Sequence, residues 1–185
     1  HTIASDGEFY LVDDTENHRV LVYQKHDAHF EVIQEFNDIG VRPHYIQYHE
    51  ETEMFYVWSS MTGEMYLFSV DSQQIALKEV RKIPQLDGVY VRSFTILGDE
   101  IYFVSGNNAI LRALLSDFSI LEEYPVPDSL AGMIQLTQIG SMFYITVSTD
   151  KSGNQDAATL LRTKDLHSLQ EGDYEDVYDL FVRGG

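Results

Sequence analysis

One short apolar run recurs along the chain. It stands as Phe9-Tyr10-Leu11-Val12, Phe55-Tyr56-Val57-Trp58, Ile101-Tyr102-Phe103-Val104 and Phe143-Tyr144-Ile145-Thr146. Its tyrosines fall at 10, 56, 102 and 144, so the steps are 46, 46 and 42 residues by subtraction. A near-constant step of about 20–50 residues marks a repeat architecture, in which each unit buries its apolar face only against a neighbour. Within each run both sides of the pleat are apolar: Tyr10 and Val12 point one way, Phe9 and Leu11 the other. A sheet with one wet face would alternate, so these strands belong to a sheet covered on both faces. Stacked four-stranded blades meet that condition, and the expected fold is an all-β propeller with four repeats, over approximately 1–43, 44–91, 92–133 and 134–185. A β-sandwich is the competing architecture, but it has no reason to repeat at a fixed step.

Turn signals divide each repeat into short strands. The first repeat is expected to carry strands at His1–Ser5, Phe9–Val12, Arg19–Tyr23 and Phe30–Phe36, with Asp6-Gly7 as a hairpin turn. The second reads as Tyr45–Tyr48, Met54–Ser59, Glu64–Ser69 and Ile75–Val80, and the third as Ser93–Leu97, Ile101–Ser105, Ile110–Leu114 and Ser119–Tyr124. The fourth reads as Gln135–Ile139, Met142–Val147 and Thr159–Thr163, with its last strand within Tyr174–Phe181.

Asp14-Thr15-Glu16-Asn17-His18-Arg19-Val20-Leu21-Val22-Tyr23 resembles the core of an NHL repeat, in which an acid, an Asn and an Arg-Val pair precede an apolar strand. Arg42-Pro43-His44 is similar to the blade junction of NHL and lactonase-type propellers, and Met61-Thr62-Gly63-Glu64-Met65-Tyr66 to the tight turn before a third strand in that group. The family match is local to the first repeat, since the others lack the Asn-x-Arg pair. Such propellers include lyases, lactonases and plain binding platforms, so the resemblance implies an architecture and leaves several functions open.

Composition narrows the partners. Thirty acids against twelve bases give a net charge of −18, a surface that repels phosphate backbones and anionic membranes. No cysteine is present, which excludes disulfides, thiolate metal sites and cysteine nucleophiles. No apolar run reaches the roughly 18 residues of a membrane-spanning helix. The compartment stays open between extracellular and cytoplasmic. The last residues, Leu180 to Gly185, resemble Phe36 to Arg42, the lead-in to another first strand. The chain is therefore expected to be either a four-bladed propeller or the downstream part of a larger one, with the second favoured.

In a propeller the first strand of each blade lines the central channel. Alignment on the tyrosines brings His1, His44, Ser93 and Gln135 to one level within a residue, with Arg92 beside them. Convergent polar groups there serve a ligand, or a metal held through imidazole. Trp58, the single tryptophan, either fills a core between blades or reaches the channel mouth and stacks on a sugar or peptide, together with Tyr45, Tyr48 and Tyr90. The expected ligand-binding set is His44, Tyr45, Trp58, Arg92 and Gln135, with no catalytic residue assigned.

Other clusters read as structural. His26-Asp27-Ala28-His29 is a surface turn, because only a helix would bring both imidazoles onto one face at close range. Asp13 and Asp14 point to opposite faces of a strand and are poorly placed to act on one substrate. Asp150 to Asp156 offers oxygens at alternate positions, but lacks the glycine and glutamate of an EF-hand loop. Acids around Tyr174 and Tyr178 read as an edge strand protected by charge. The sequence thus points to a binding platform for a protein or carbohydrate ligand at the channel mouth, without nucleic acid, membrane or cofactor. The alternatives are a lactonase- or lyase-like enzyme with calcium or zinc in the channel, and a structural module whose partners are further blades of the same protein.

Overall fold

The computed structural model describes residues 1–105, 109–130, 132–148, 159–178 and 180. The alternating oxygens of Asp150 to Asp156 and the end of the tail lie outside the described residues. The fold is all-β and of the propeller kind, with four antiparallel four-stranded sheets, each a meander in chain order. The chain divides into two units, His1–Tyr90 and Val91–Gly185.

The first unit holds blades 1 and 2. Blade 1 consists of β1 (Ile3–Ser5), β2 (Phe9–Asp14), β3 (Arg19–His26) and β4 (His29–Phe36). Asp6 makes the β1–β2 turn, its Oδ1 accepting the amides of Glu8 and Phe9 at 2.9 and 2.8 Å while Gly7 takes a positive φ of 101°. Blade 2 consists of β5 (Pro43–His49), β6 (Met54–Ser59), β7 (Glu64–Asp71) and β8 (Gln74–Lys82). The core between these two sheets is built from Phe9, Leu11, Val20 and Val22 on one side and Ile46, Phe55, Val57, Tyr66 and Phe68 on the other.

The second unit holds blades 3 and 4. Blade 3 consists of β9 (Val91–Leu97), β10 (Glu100–Ser105), β11 (Ala109–Leu114) and β12 (Ile120–Pro125). Blade 4 consists of β13 (Met133–Ile139), β14 (Met142–Val147), β15 (Thr159–Thr163) and a short β16 (Glu175–Asp176). A four-residue helix, α1 (Ser168–Glu171), interrupts the path from β15 to β16. Tyr102, Val104, Ile110 and Tyr124 of blade 3 pack on Leu136, Ile145, Val147 and Leu161 of blade 4.

Two bulges recur and fix how the blades correspond. On the first strand an extra residue is inserted where the blade starts. Pro43 pairs with Ser59 and Tyr45 with Trp58, leaving His44 over. Val91 pairs with Ser105 and Ser93 with Val104, leaving Arg92 over; Met133 pairs with Val147 and Gln135 with Thr146, leaving Ile134 over. On the fourth strand the extra residues are Ile33, Lys78 and Leu121. This second bulge follows the residues paired with Val22, Leu67 and Arg112, which in turn face Leu11, Tyr56 and Tyr102.

The repeat is therefore in phase with Leu11, Tyr56, Tyr102 and Tyr144, and the alignment through Tyr10 is one residue out. Because side chains alternate with a period of two, that single step exchanges the faces of blade 1. It also puts Asp13, not Val12, at the position of Trp58.

Candidate functional site

The first-strand bulge sets the geometry of the site. An extra residue bends the strand, raises its twist and re-aims a side chain, and bulges of this sort concentrate beside functional sites. Here the re-aimed residues are His44, Arg92 and Ile134. His1 holds the same place in blade 1: its backbone nitrogen donates to the carbonyl of Asp13 at 3.1 Å, while the Asp13 amide donates to Thr2 O at 3.3 Å.

The level expected from sequence thus resolves into two rows. His44, Arg92 and Ile134 are the bulged residues, and His1 stands at the corresponding place ahead of β1. Thr2, Tyr45, Ser93 and Gln135 follow them, the last three pairing with Trp58, Val104 and Thr146. Of the expected ligand set, His44 and Arg92 belong to the first row and Tyr45 and Gln135 to the second. His44, Tyr45 and Arg92 are half-buried, and Gln135 is exposed.

Within the first unit the bulge gathers a small cluster. The His1 and His44 rings stack with centroids 4.3 Å apart and 28° between planes. Tyr90 meets the other edge of His44, its hydroxyl oxygen 3.4 Å from Nε2 and its ring nearly perpendicular at 77°. Two imidazoles and a phenol, all partly open to solvent, offer stacking surface with hydrogen-bonding edges, which suits a sugar ring or a peptide.

Beneath this cluster lies a buried carboxylate. Asp13 accepts the Thr2 amide on Oδ1 and the Thr2 hydroxyl on Oδ2, each at 2.6 Å. The Thr2 hydroxyl in turn accepts the Ile46 amide at 3.0 Å and so ties blade 1 to blade 2. The second unit has a counterpart, in which the Ser93 hydroxyl donates to Ile134 O at 2.6 Å and the Thr95 hydroxyl to Leu136 O. The sequence alone presents Asp13 only as half of an unsuitable acid pair. Its burial was not legible there because the phase of β2 was not.

Trp58 is fully buried at 0% exposure, so of the two places open to it the core is the one it takes, out of reach of a ligand at the surface. The NHL-like residues do structural work. Asn17 Nδ2 donates to both Asp14 oxygens at 3.0 and 2.9 Å, and Arg19 Nε donates to Oδ2 at 2.6 Å. These bonds, Asn17's first, hold the Asp14 carboxyl below its usual range and staple the β2–β3 turn. His26 and His29 are the closing pair of the β3–β4 hairpin, with ring centroids 6.0 Å apart. A hairpin therefore brings together what was expected to need a helix.

A cavity of about 550 Å³ in blade 4 was missed altogether, and its walls include Met142, Arg162, Lys164, His167, Glu171 and Tyr174. The signal was the long stretch between β15 and β16, which folds back as α1. Two ion pairs engage part of its lining: Arg162 Nε lies 2.7 Å from Glu175 Oε2, and His167 Nε2 lies 2.8 Å from Glu122 Oε1. Among the described residues, no three His, Cys, Asp or Glu side chains converge as a metal site would require, and no helix is long and apolar enough to cross a membrane.

No family model matches the sequence, and no curated protein matches it. Solved structures do. A protein from Lactobacillus plantarum is 14% identical with a TM-score of 0.60, over 88% of this chain and 55% of that one. A putative 6-phosphogluconolactonase from Bacteroides uniformis is 12% identical with a TM-score of 0.67, over 95% of this chain and 55% of that one. At such identities the likeness is one of fold, and it agrees with the propeller blades described above. The chain spans about half the length, 55%, of each of these proteins.

Proposed function

We propose that this chain is a β-propeller binding platform for a protein or carbohydrate ligand, with the first-strand bulge as its contact point. The observation that carries the reading is the insertion of His44 into β5, which sets its ring between His1 and Tyr90. Within the first unit the corresponding positions of blades 1 and 2 meet ring on ring, and such a pair serves a surface common to both sheets better than it serves either alone. Tyr45, Arg92 and Gln135, on the same strand ends of their own blades, are the further contacts to be tested.

Calorimetric titration with a panel of oligosaccharides and extended peptides tests this. Binding by the unaltered protein, lost in His44→Ala and weakened several-fold in Tyr90→Phe, is the expected result. A ligand bound equally well by His44→Ala, Arg92→Ala and Gln135→Ala would overturn it.

A second reading, a lactonase-like enzyme, draws on the likeness to the structure named a putative 6-phosphogluconolactonase. Among the described residues no three His, Cys, Asp or Glu side chains converge to hold a metal for such chemistry. Hydrolysis of a sugar lactone by the unaltered protein, abolished in His44→Ala, would favour the enzyme over the platform.

A further inference from the structure

Blade 1 has a face built to be covered. The correspondence fixed by the two bulges places Ile3, Tyr10, Val12, Leu21 and Tyr23 side by side on one face of the sheet. The matching residues of blade 2 are Ile46, Phe55, Val57, Tyr66 and Phe68, and all are buried. Those of blade 3 are Phe94, Ile101, Phe103, Leu111 and Ala113, again all buried. In blade 4, Leu136, Ile145, Leu161 and Thr163 are buried at the same places and Phe143 is half-buried. In blade 1 alone the face is open. Ile3 is 61% exposed and the four others are half-buried. Phe30, 53% exposed, extends the patch by packing edge-on against Tyr10 at 5.0 Å.

A solvated sheet face carries polar residues, whereas this one keeps an apolar or aromatic side chain at each of five positions that are buried in blades 2 and 3. From this we infer that a further four-stranded blade of the same propeller packs on this face of blade 1, as blade 1 itself packs on blade 2. Two observations choose this occupant. The similar solved proteins are longer, this chain spanning 55% of each. A second copy docking through blade 4 would present the face on which Gln135, Thr137, Thr146 and Arg162 stand beside Tyr144 and Leu160, a more polar surface than those buried against blades 2 and 3.

Hydroxyl-radical footprinting tests the inference, with Tyr56 as the buried reference and the protein isolated from its own cells compared with the 185-residue chain. In the 185-residue chain Tyr10 and Tyr23 should label several-fold faster than Tyr56. In the cellular protein both should be as protected as Tyr56, and dilution should not change that. Fast labelling of Tyr10 in the cellular protein would overturn the inference. Protection that vanishes on dilution would overturn it too, by making a second copy the cover. Val12→Ser provides an independent readout: a small change in Tm for the 185-residue chain and a larger fall for the cellular protein.

Discussion

His1 and His44 stack ring on ring at 4.3 Å, His44 as the extra residue at the start of β5 and His1 two residues ahead of β1. Neighbouring blades bring equivalent positions side by side, so contact between them follows from the repeat itself. The same register would carry any ligand contact at this position.

Removing the His44 ring deletes a stacked pair and a perpendicular contact with Tyr90, both partly exposed. Aromatic pairs are worth roughly 0.5–1.5 kcal/mol beyond their burial, so His44→Ala should lower unfolding free energy by about that much. Urea denaturation measures it, and the small cost keeps the variant folded for binding experiments.

Asp13 should matter more. Its side chain is fully buried and accepts both the amide and the hydroxyl of Thr2. Asp13→Ala leaves those donors unsatisfied and loosens the link to Ile46, at an expected cost of about 2–4 kcal/mol. Thr2→Val, which abolishes the hydroxyl and leaves the carboxylate one donor short, should cost less. Paired thermal melts would show the order.

Tyr102 gives a pH signature. Burial, with the nearby Glu100 carboxylate adding to it, pushes its phenol up to about 12, above an ordinary value of 10.0. A folded-state value raised above the unfolded one contributes stability that is present below pH 10 and lost as pH climbs towards 12. Tyr48, Tyr66 and Tyr124 are raised in the same direction, each chiefly by burial. Unfolding free energy should therefore fall through this alkaline window, less steeply in Tyr102→Phe, as denaturation at fixed pH values would record.

Gly63 sits at a φ of +67°, and a Cβ there would lie 2.6 Å from Ile83 O and 2.9 Å from Asp87 N. Both neighbours are backbone and have no side-chain freedom with which to yield. Gly63→Ala should cost about 1–3 kcal/mol through strain and displacement of the β7 turn. Its Tm, set beside that of Gly98→Ala, where nothing lies within 4 Å of the added carbon, separates the clash from the shared cost of a positive φ.

The strands were legible because apolar runs of four alternate with turn residues, and Met54–Ser59, Met142–Val147 and Thr159–Thr163 form where the pattern put them. The phase of blade 1 was not legible. Phe9-Tyr10-Leu11-Val12 is apolar at every position, so composition fits either face inward, and hydrogen-bond register alone decides. The bulges were hidden for a related reason: an unpaired residue is a property of pairing, and His44, Arg92 and Ile134 share no chemistry that would flag it. Half of the candidate site was visible as polar residues near the blade junctions. The His1–His44–Tyr90 contacts needed the bulge to bring them about.

The most direct measurement is a ¹H–¹⁵N imidazole spectrum of the protein titrated with the sugar and peptide panel. The account predicts that a bound ligand shifts the His1 and His44 ring resonances together, while those of His26, His29 and His167 stay fixed. Saturable binding that leaves the His1 and His44 resonances in place and moves His167, beside the blade 4 cavity, would contradict it.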